Sequence, residues 1–333
     1  MLVATFWFMG VQVRAALKDL HNRPFTFHIE WVVVSVLFFA LGMTFISSSW
    51  YFVLQDRIRA IGLPIRISLS ESVRTYLISQ VGKYVPGKGF VLVLRYGLLR
   101  PRGATLGLLT LSTVFETFCG MASASLIGLI FIAFPTDPAL NEALEETEWF
   151  LPMAVLFAIG FTLIVSPPIF ALLPRLFSLV VPTAKKHADD WIKWSTYANS
   201  LAWSSVGWLF WGVSFWAAVR AVSNQNLGIA DIPTFTAVFS IAYVAGFLSL
   251  IPGQLGVREF ILVVVLKHLL GGDELVTVSA TILSRLVSLG TECALAGILM
   301  LTFRRPLAQQ LSQDAPDLSP VTPAEDGKIE HGT

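Results

Sequence analysis

This chain is short of charge. Only 14% of its 333 residues are Asp, Glu, Lys or Arg, the net charge is +1, and there are two cysteines. So even a balance leaves no basic footprint for nucleic acid. Cys119 and Cys293 both lie in apolar text with neither metal spacing nor a disulfide framework, so both read as small core residues. No HExxH string, Ser/His/Asp constellation, acidic metal motif or phosphate-cradling Gly-rich loop is present. No catalytic group, metal, cofactor or direct use of ATP is therefore expected, and the chain reads as a non-enzyme. The opening MLVATFWFMGVQVRAAL has no basic n-region and no small-residue cleavage site, which argues against a signal peptide. It reads instead as the end of a further span that starts upstream.

What the chain has is apolar length. It is 55% hydrophobic, with a mean hydropathy of +0.70, well outside the soluble range. Runs of about 20 apolar residues cross a bilayer core as helices. Such runs fall at 31–54, 104–134, 149–173, 201–222 and 275–303. The fold class is thus an all-α polytopic membrane protein with six to eight transmembrane helices in one domain, 1–303. The segment 304–333 is rich in Pro, Asp, Ser and Gln and is expected to be a disordered cytoplasmic tail.

One motif occurs twice. SQVGKYVPGKGFVLVLRYGLL breaks at Pro86-Gly87, and AGFLSLIPGQLGVREFILVVVL breaks at Pro252-Gly253 and continues through Gly256. The spacing is 166 positions (252 − 86), half the chain. Proline removes a backbone donor and glycine permits an unusual turn, so each break frees polar backbone groups. At membrane depth such groups persist only inside protein or beside a wet cavity. Paired interrupted segments in two halves point to a transporter-like site near the midplane. The 70–99 and 233–270 segments read as broken or re-entrant hairpins within halves 31–134 and 201–303.

Basic residues set the orientation. Arg57, Arg59, Arg66 and Arg74 crowd one loop, Arg100 and Arg102 follow the first hairpin, and Arg175, Lys185, Lys186 and Lys193 mark a later loop. The loop with Asp137, Glu142, Glu145, Glu146 and Glu148 has no Lys or Arg. The positive-inside rule places the basic loops and the C-terminus in the cytoplasm, and makes the two hairpins an inverted repeat. Arg14, Lys18 and Arg23 run against this assignment.

Charges inside membrane text are functional hypotheses by default. Lys83 and Lys88 flank the first break, Arg95 follows it, and Arg258 and Glu259 follow the second. Glu116 with Ser112 and Ser123, and Arg285 with Ser288 and Glu292, recur at helical intervals on the helix after each hairpin. Facing stripes would line a polar cavity. Half-helices starting after Pro-Gly present free N–H groups and positive dipole ends, which suit an anion such as a lipid phosphate. Two blander readings stay open: Arg258, Glu259, Arg285 and Glu292 as internal ion pairs, and Lys83 and Lys88 as lysines snorkelling to the headgroups.

The strings VGKYVPGKG, LRYGLLRPRG, STVFETF and SLIPGQLGVREF resemble the lysylphosphatidylglycerol synthase transmembrane family, the flippase-like domain proteins, over about 31–303. The resemblance implies a plasma-membrane protein that handles lipids, placed in the bacterial inner membrane. In well-understood relatives this region moves aminoacylated phosphatidylglycerol between leaflets and precedes a soluble aminoacyl-transferase domain. Here a short polar tail follows, so a stand-alone membrane domain is expected; stand-alone members are linked to glycolipid or hopanoid-type lipids. Gln254 stands where relatives often carry glycine.

The leading expectation is a flippase that moves a lipid with an anionic, aminoacylated or glycosylated headgroup, its partners being membrane lipids. A non-transporting scaffold for a biosynthetic enzyme and an intramembrane lipid-linked transferase are the alternatives.

Overall fold

The computed structural model describes residues 27–85, 89–134, 150–172, 192–251, 254 and 256–313. Among these there are ten α-helices and no strand, as the apolar runs require. They are α1 (Ile29–Ala60), α2 (Leu69–Ser79), α3 (Phe90–Leu99), α4 (Leu106–Ala133), α5 (Phe150–Val165), α6 (Pro167–Phe170), α7 (Trp194–Arg220), α8 (Ile232–Leu248), α9 (Val257–Leu269) and α10 (Glu274–Gln313). A 3₁₀ turn, Gln80–Tyr84, extends α2.

Local chemistry sets the boundaries. Ser68 caps α2 by accepting from Glu71 N–H at 3.2 Å, and Thr105 caps α4 by accepting from Leu108 N–H at 3.3 Å. Helix α1 ends at Gly62, whose φ of 66° lets Leu63 N–H reach back to the Ile58 carbonyl.

Four segments are long and apolar enough to cross a membrane: Ile29–Ala60, Leu106–Ala133, Ile229–Leu248 and Glu274–Leu301. Helix α7 has 27 residues, enough length, but its serines and tryptophans lower its hydropathy. The run at 149–173 is interrupted. Ser166 is extended (ψ 142°) because Pro167 follows it, so α5 stops after 16 residues and α6 starts anew.

The protein differs from the sequence reading in two further places. Helix α10 continues through Gln313, past the expected end of the membrane domain at 303. The helix runs through Pro306, which costs it a backbone hydrogen bond, and continues in Leu-Ala-Gln-Gln-Leu, all good helix formers. Cys119 is buried as expected, but Cys293 is exposed on the surface of α10. The acidic segment at 137–148, the opening residues expected to end a span and the 314–333 segment lie outside the described residues.

Burial sorts the helices. Only 28% of the most apolar window of α1 is buried, against 67% for α4, so α4 is central and α1 presents Val33, Leu37 and Leu41 outward. Helices α1 and α7 pack antiparallel along their lengths. The hydroxyls of Ser35 and Ser214 each donate to the other residue's carbonyl at 2.8 Å. Phe39 stacks on Trp211 with centroids 5.1 Å apart. Ser200 donates to the Ser49 carbonyl at 3.5 Å. Between them Gly42 and Gly207 let the backbones meet, since a Cβ on Gly42 would lie 2.8 Å from the Gly207 carbonyl oxygen. Ser35, Gly42 and Ser49 thus face Ser214, Gly207 and Ser200, the same seven-residue spacing read in opposite directions. Small residues and interhelical hydroxyls are the means by which helices associate where lipid is as apolar as leucine.

The order long helix, helix pair, long helix occurs twice: α1, α2–α3, α4, then α7, α8–α9, α10. Members of each pair contact each other.

Gly42→Val is expected to lower stability by about 1–3 kcal/mol through overpacking of the α1–α7 seam. Gly160→Ala, where a Cβ meets nothing within 4 Å, is expected to be neutral or stabilising by up to about 1 kcal/mol. Thermal unfolding in detergent distinguishes the two; equal midpoints would contradict the close approach.

Candidate functional site

A cavity of about 390 Å³ lies where both helix pairs meet α4, α7 and α10. Six charged residues singled out in the sequence line it: Lys83, Arg95, Glu116, Arg258, Arg285 and Glu292. Glu259 stands just behind, while Pro86, Gly87, Lys88, Pro252 and Gly253 lie outside the described residues. Gly256 adopts φ 86° as the N-cap of α9, a conformation open to glycine.

Two carboxylates hold opposite ends of the cavity. Glu116, on α4, accepts from both Nη atoms of Arg95 at 3.2 Å and from the Tyr76 hydroxyl at 3.1 Å. Arg95 also donates to Ser79 Oγ at 3.2 Å and Thr113 Oγ1 at 2.9 Å, so its fork, carried on α3, joins α2 to α4. Its guanidinium lies 4.2 Å from the Trp50 ring and 4.7 Å from the Tyr76 ring. Arg95 is fully buried, and such a charge is retained only when paired and hydrogen-bonded.

At the other end Lys83 donates to Glu292 Oε1 at 2.6 Å, and the Tyr84 hydroxyl donates to Oε2 at 3.0 Å. This pair joins residues 209 positions apart, tying the first helix pair to the last helix. Lys83 is therefore turned inward rather than snorkelling outward. Glu259 folds back to accept from Gly256 N–H at 2.8 Å, capping α9, and its Oε1 is 3.4 Å from Arg285 Nη1.

Arg258 is different. It is 3% exposed and lines the cavity, yet its Nε and Nη2 have no hydrogen-bond partner among the described residues. Its guanidinium rests 4.7 Å from the Phe239 ring centroid and 5.9 Å from that of Tyr243. The ion pairs thus join Arg95 with Glu116, Lys83 with Glu292 and Arg285 with Glu259, leaving Arg258 on aromatic faces.

The second helix break is strained on both sides. Leu250 and Gln254 both have positive φ, 58° and 60°, a region that favours glycine. Gln254 lines the cavity and packs its Cβ 3.0 Å from where a Cβ on Gly246 would stand. Strain of this kind clusters at functional sites.

A family model for the lysylphosphatidylglycerol synthase TM region matches residues 1–296. The chain belongs to that family. No curated protein matches it. Membership, with the four long apolar helices, makes the chain a multi-pass membrane protein of a lipid-handling family.

Several cavity residues went unread in the sequence: Tyr76, Tyr84, Trp208, Trp211 and Tyr243. Their one signal is a polar-tipped ring inside apolar text, which membrane-interface anchoring also explains. The serines of the expected stripes divide: Ser288 lines the cavity, whereas Ser112 accepts from Trp50 Nε1 at 3.2 Å and Ser123 donates to the Leu201 carbonyl. Among the described residues no three His, Cys, Asp or Glu side chains group as metal ligands would.

Arg95→Met and Glu116→Gln are each expected to destabilise by about 3 kcal/mol or more, because each strands a buried polar partner. The double variant is expected to fall short of the sum by at least about 1 kcal/mol. Unfolding in detergent measures both quantities, and strict additivity would contradict the pair as drawn.

Proposed function

We propose that this chain is a lipid flippase that moves a polar-headgroup lipid between leaflets of the bacterial inner membrane. The observation that carries the reading is the cavity itself, a partly open space between both helix pairs whose largely apolar wall carries six charged side chains. A headgroup, whether anionic, aminoacylated or glycosylated, sits among the charges while its acyl chains stay in lipid. Repeats in residues 31–134 and 201–303 then rock about the antiparallel α1–α7 seam, and each helix pair gates one side, as in alternating access. The chain works without catalysis in this reading: each carboxylate at the cavity is held by internal donors rather than poised as a base. The basic loops and C-terminus face the cytoplasm.

Gly120 offers a clean test. It lines the cavity on α4, and a Cβ built there meets nothing within 4 Å. Gly120→Leu replaces a helix-interior glycine, worth about 1 kcal/mol of helix propensity, while filling the passage. Fluorescent lipid is expected to cross proteoliposome membranes with wild type and about tenfold more slowly with the folded Gly120→Leu variant. Identical, measurable rates in the two would place the passage away from Gly120, and no movement in either would favour a non-transporting scaffold for a biosynthetic partner.

Orientation has its own test. With Cys293 replaced, an impermeant thiol reagent outside the cell is expected to label Glu142→Cys and to leave Arg102→Cys untouched. The reverse pattern would invert the topology.

A further inference from the structure

Seven ionisable side chains meet at the cavity: Lys83, Arg95, Arg258 and Arg285 against Glu116, Glu259 and Glu292. Each carboxylate already faces a cation, although Glu259 Oε1, 3.4 Å from Arg285 Nη1, makes no hydrogen bond among the described residues. Glu116 holds Arg95 and Tyr76, Glu292 holds Lys83 and Tyr84, and Glu259 holds the α9 N-cap beside Arg285. An ammonium group entering here would have to displace Arg95 or Lys83 from contacts at 3.2 and 2.6 Å.

An anion meets the opposite situation. Arg258 is withdrawn from water, with two donors unpartnered among the described residues. Aromatic faces recover part of that cost, but orphan donors on a buried charge remain unfavourable until an acceptor arrives. A phosphodiester is such an acceptor, and a guanidinium binds its oxygens in a fork. The rest of the lining is mostly apolar, but Gln80, Thr117, Gln254 and Ser288 offer amides and hydroxyls to an uncharged polyol.

We propose that the cavity selects a lipid whose headgroup carries a net charge of −1, its phosphodiester on Arg258 and its remainder an uncharged glycerol or sugar, and that it disfavours aminoacylated headgroups. This rests on the transport reading and narrows its substrate.

The test uses full-length protein in proteoliposomes with tail-labelled phosphatidylglycerol, phosphatidylcholine and lysine-esterified phosphatidylglycerol. Wild type is expected to move phosphatidylglycerol at least about tenfold faster than the other two, with Arg258→Gln abolishing that preference and Arg258→Lys retaining part of it. Comparable or faster movement of the lysine-esterified lipid by wild type would overturn the selectivity while leaving transport standing, and this comparison needs no variant to fold. If folded protein moves no lipid, the transport reading fails, and binding in detergent then decides the site. Arg258-dependent binding of phosphatidylglycerol over its lysine ester supports it, and equal binding overturns it. Inorganic phosphate at millimolar concentration is expected to leave the thermal midpoint unchanged; an Arg258-dependent rise matching that of the lipid would reassign the site to a free anion.

Discussion

A charge enclosed by apolar helices must find partners before it gives up water, and that constraint organises this protein. Burial of an ion costs several kcal/mol even after relaxation, so each charged side chain at the cavity dictates what surrounds it. Arg95 is the fullest case. Its fork engages Glu116, Thr113 and Ser79 while Trp50 and Tyr76 flank its faces, so α1, α2, α3 and α4 are all committed to one guanidinium. The Lys83–Glu292 contact does the same across the whole chain. Arg258 is the exception, since two of its buried donors have no hydrogen-bond partner among the described residues, and the proposed phosphodiester would supply one.

The scaffold that makes this possible is a small-residue seam. Gly42 and Gly207 bring α1 and α7 into backbone contact, and Ser35, Ser214, Ser49 and Ser200 bond on either side of it. The seam is nearly symmetric about the glycines. Beside it Trp208 and Trp211 form part of the cavity wall, fixed by hydrogen bonds to the Gly120 and Phe39 carbonyls at 2.8 and 3.1 Å. Hydrogen-bonded aromatic walls thus stand beside a strained break at Leu250 and Gln254.

The sequence was most legible where bilayer physics leaves little choice. Apolar length marked the helices at 31–54, 104–134 and 275–303, and Pro-Gly pairs marked the interrupted segments, because neither an unbroken helix nor an ordinary loop fits such text. Charges in apolar runs marked six cavity residues for the same reason. Pairing was illegible: whether Glu292 meets Arg285 seven residues earlier or Lys83 at a separation of 209 depends on how distant helices cross. The aromatic wall was hidden because tryptophan and tyrosine serve equally as interface anchors. The end of α10 was misjudged because polar composition speaks to exposure rather than to whether a long helix stops. Cys293 shows the matching error, since apolar context in a membrane protein does not distinguish core from lipid-facing surface.

The most direct measurement is an experimental structure of the protein in nanodiscs containing an anionic phospholipid. The account predicts a headgroup in the cavity with its phosphate oxygens about 3 Å from the Arg258 guanidinium, and with the Arg95–Glu116 and Lys83–Glu292 pairs intact. A cavity closed to lipid, or a headgroup seated on Glu116 or Glu292 with Arg258 still on its aromatic rings, would contradict it.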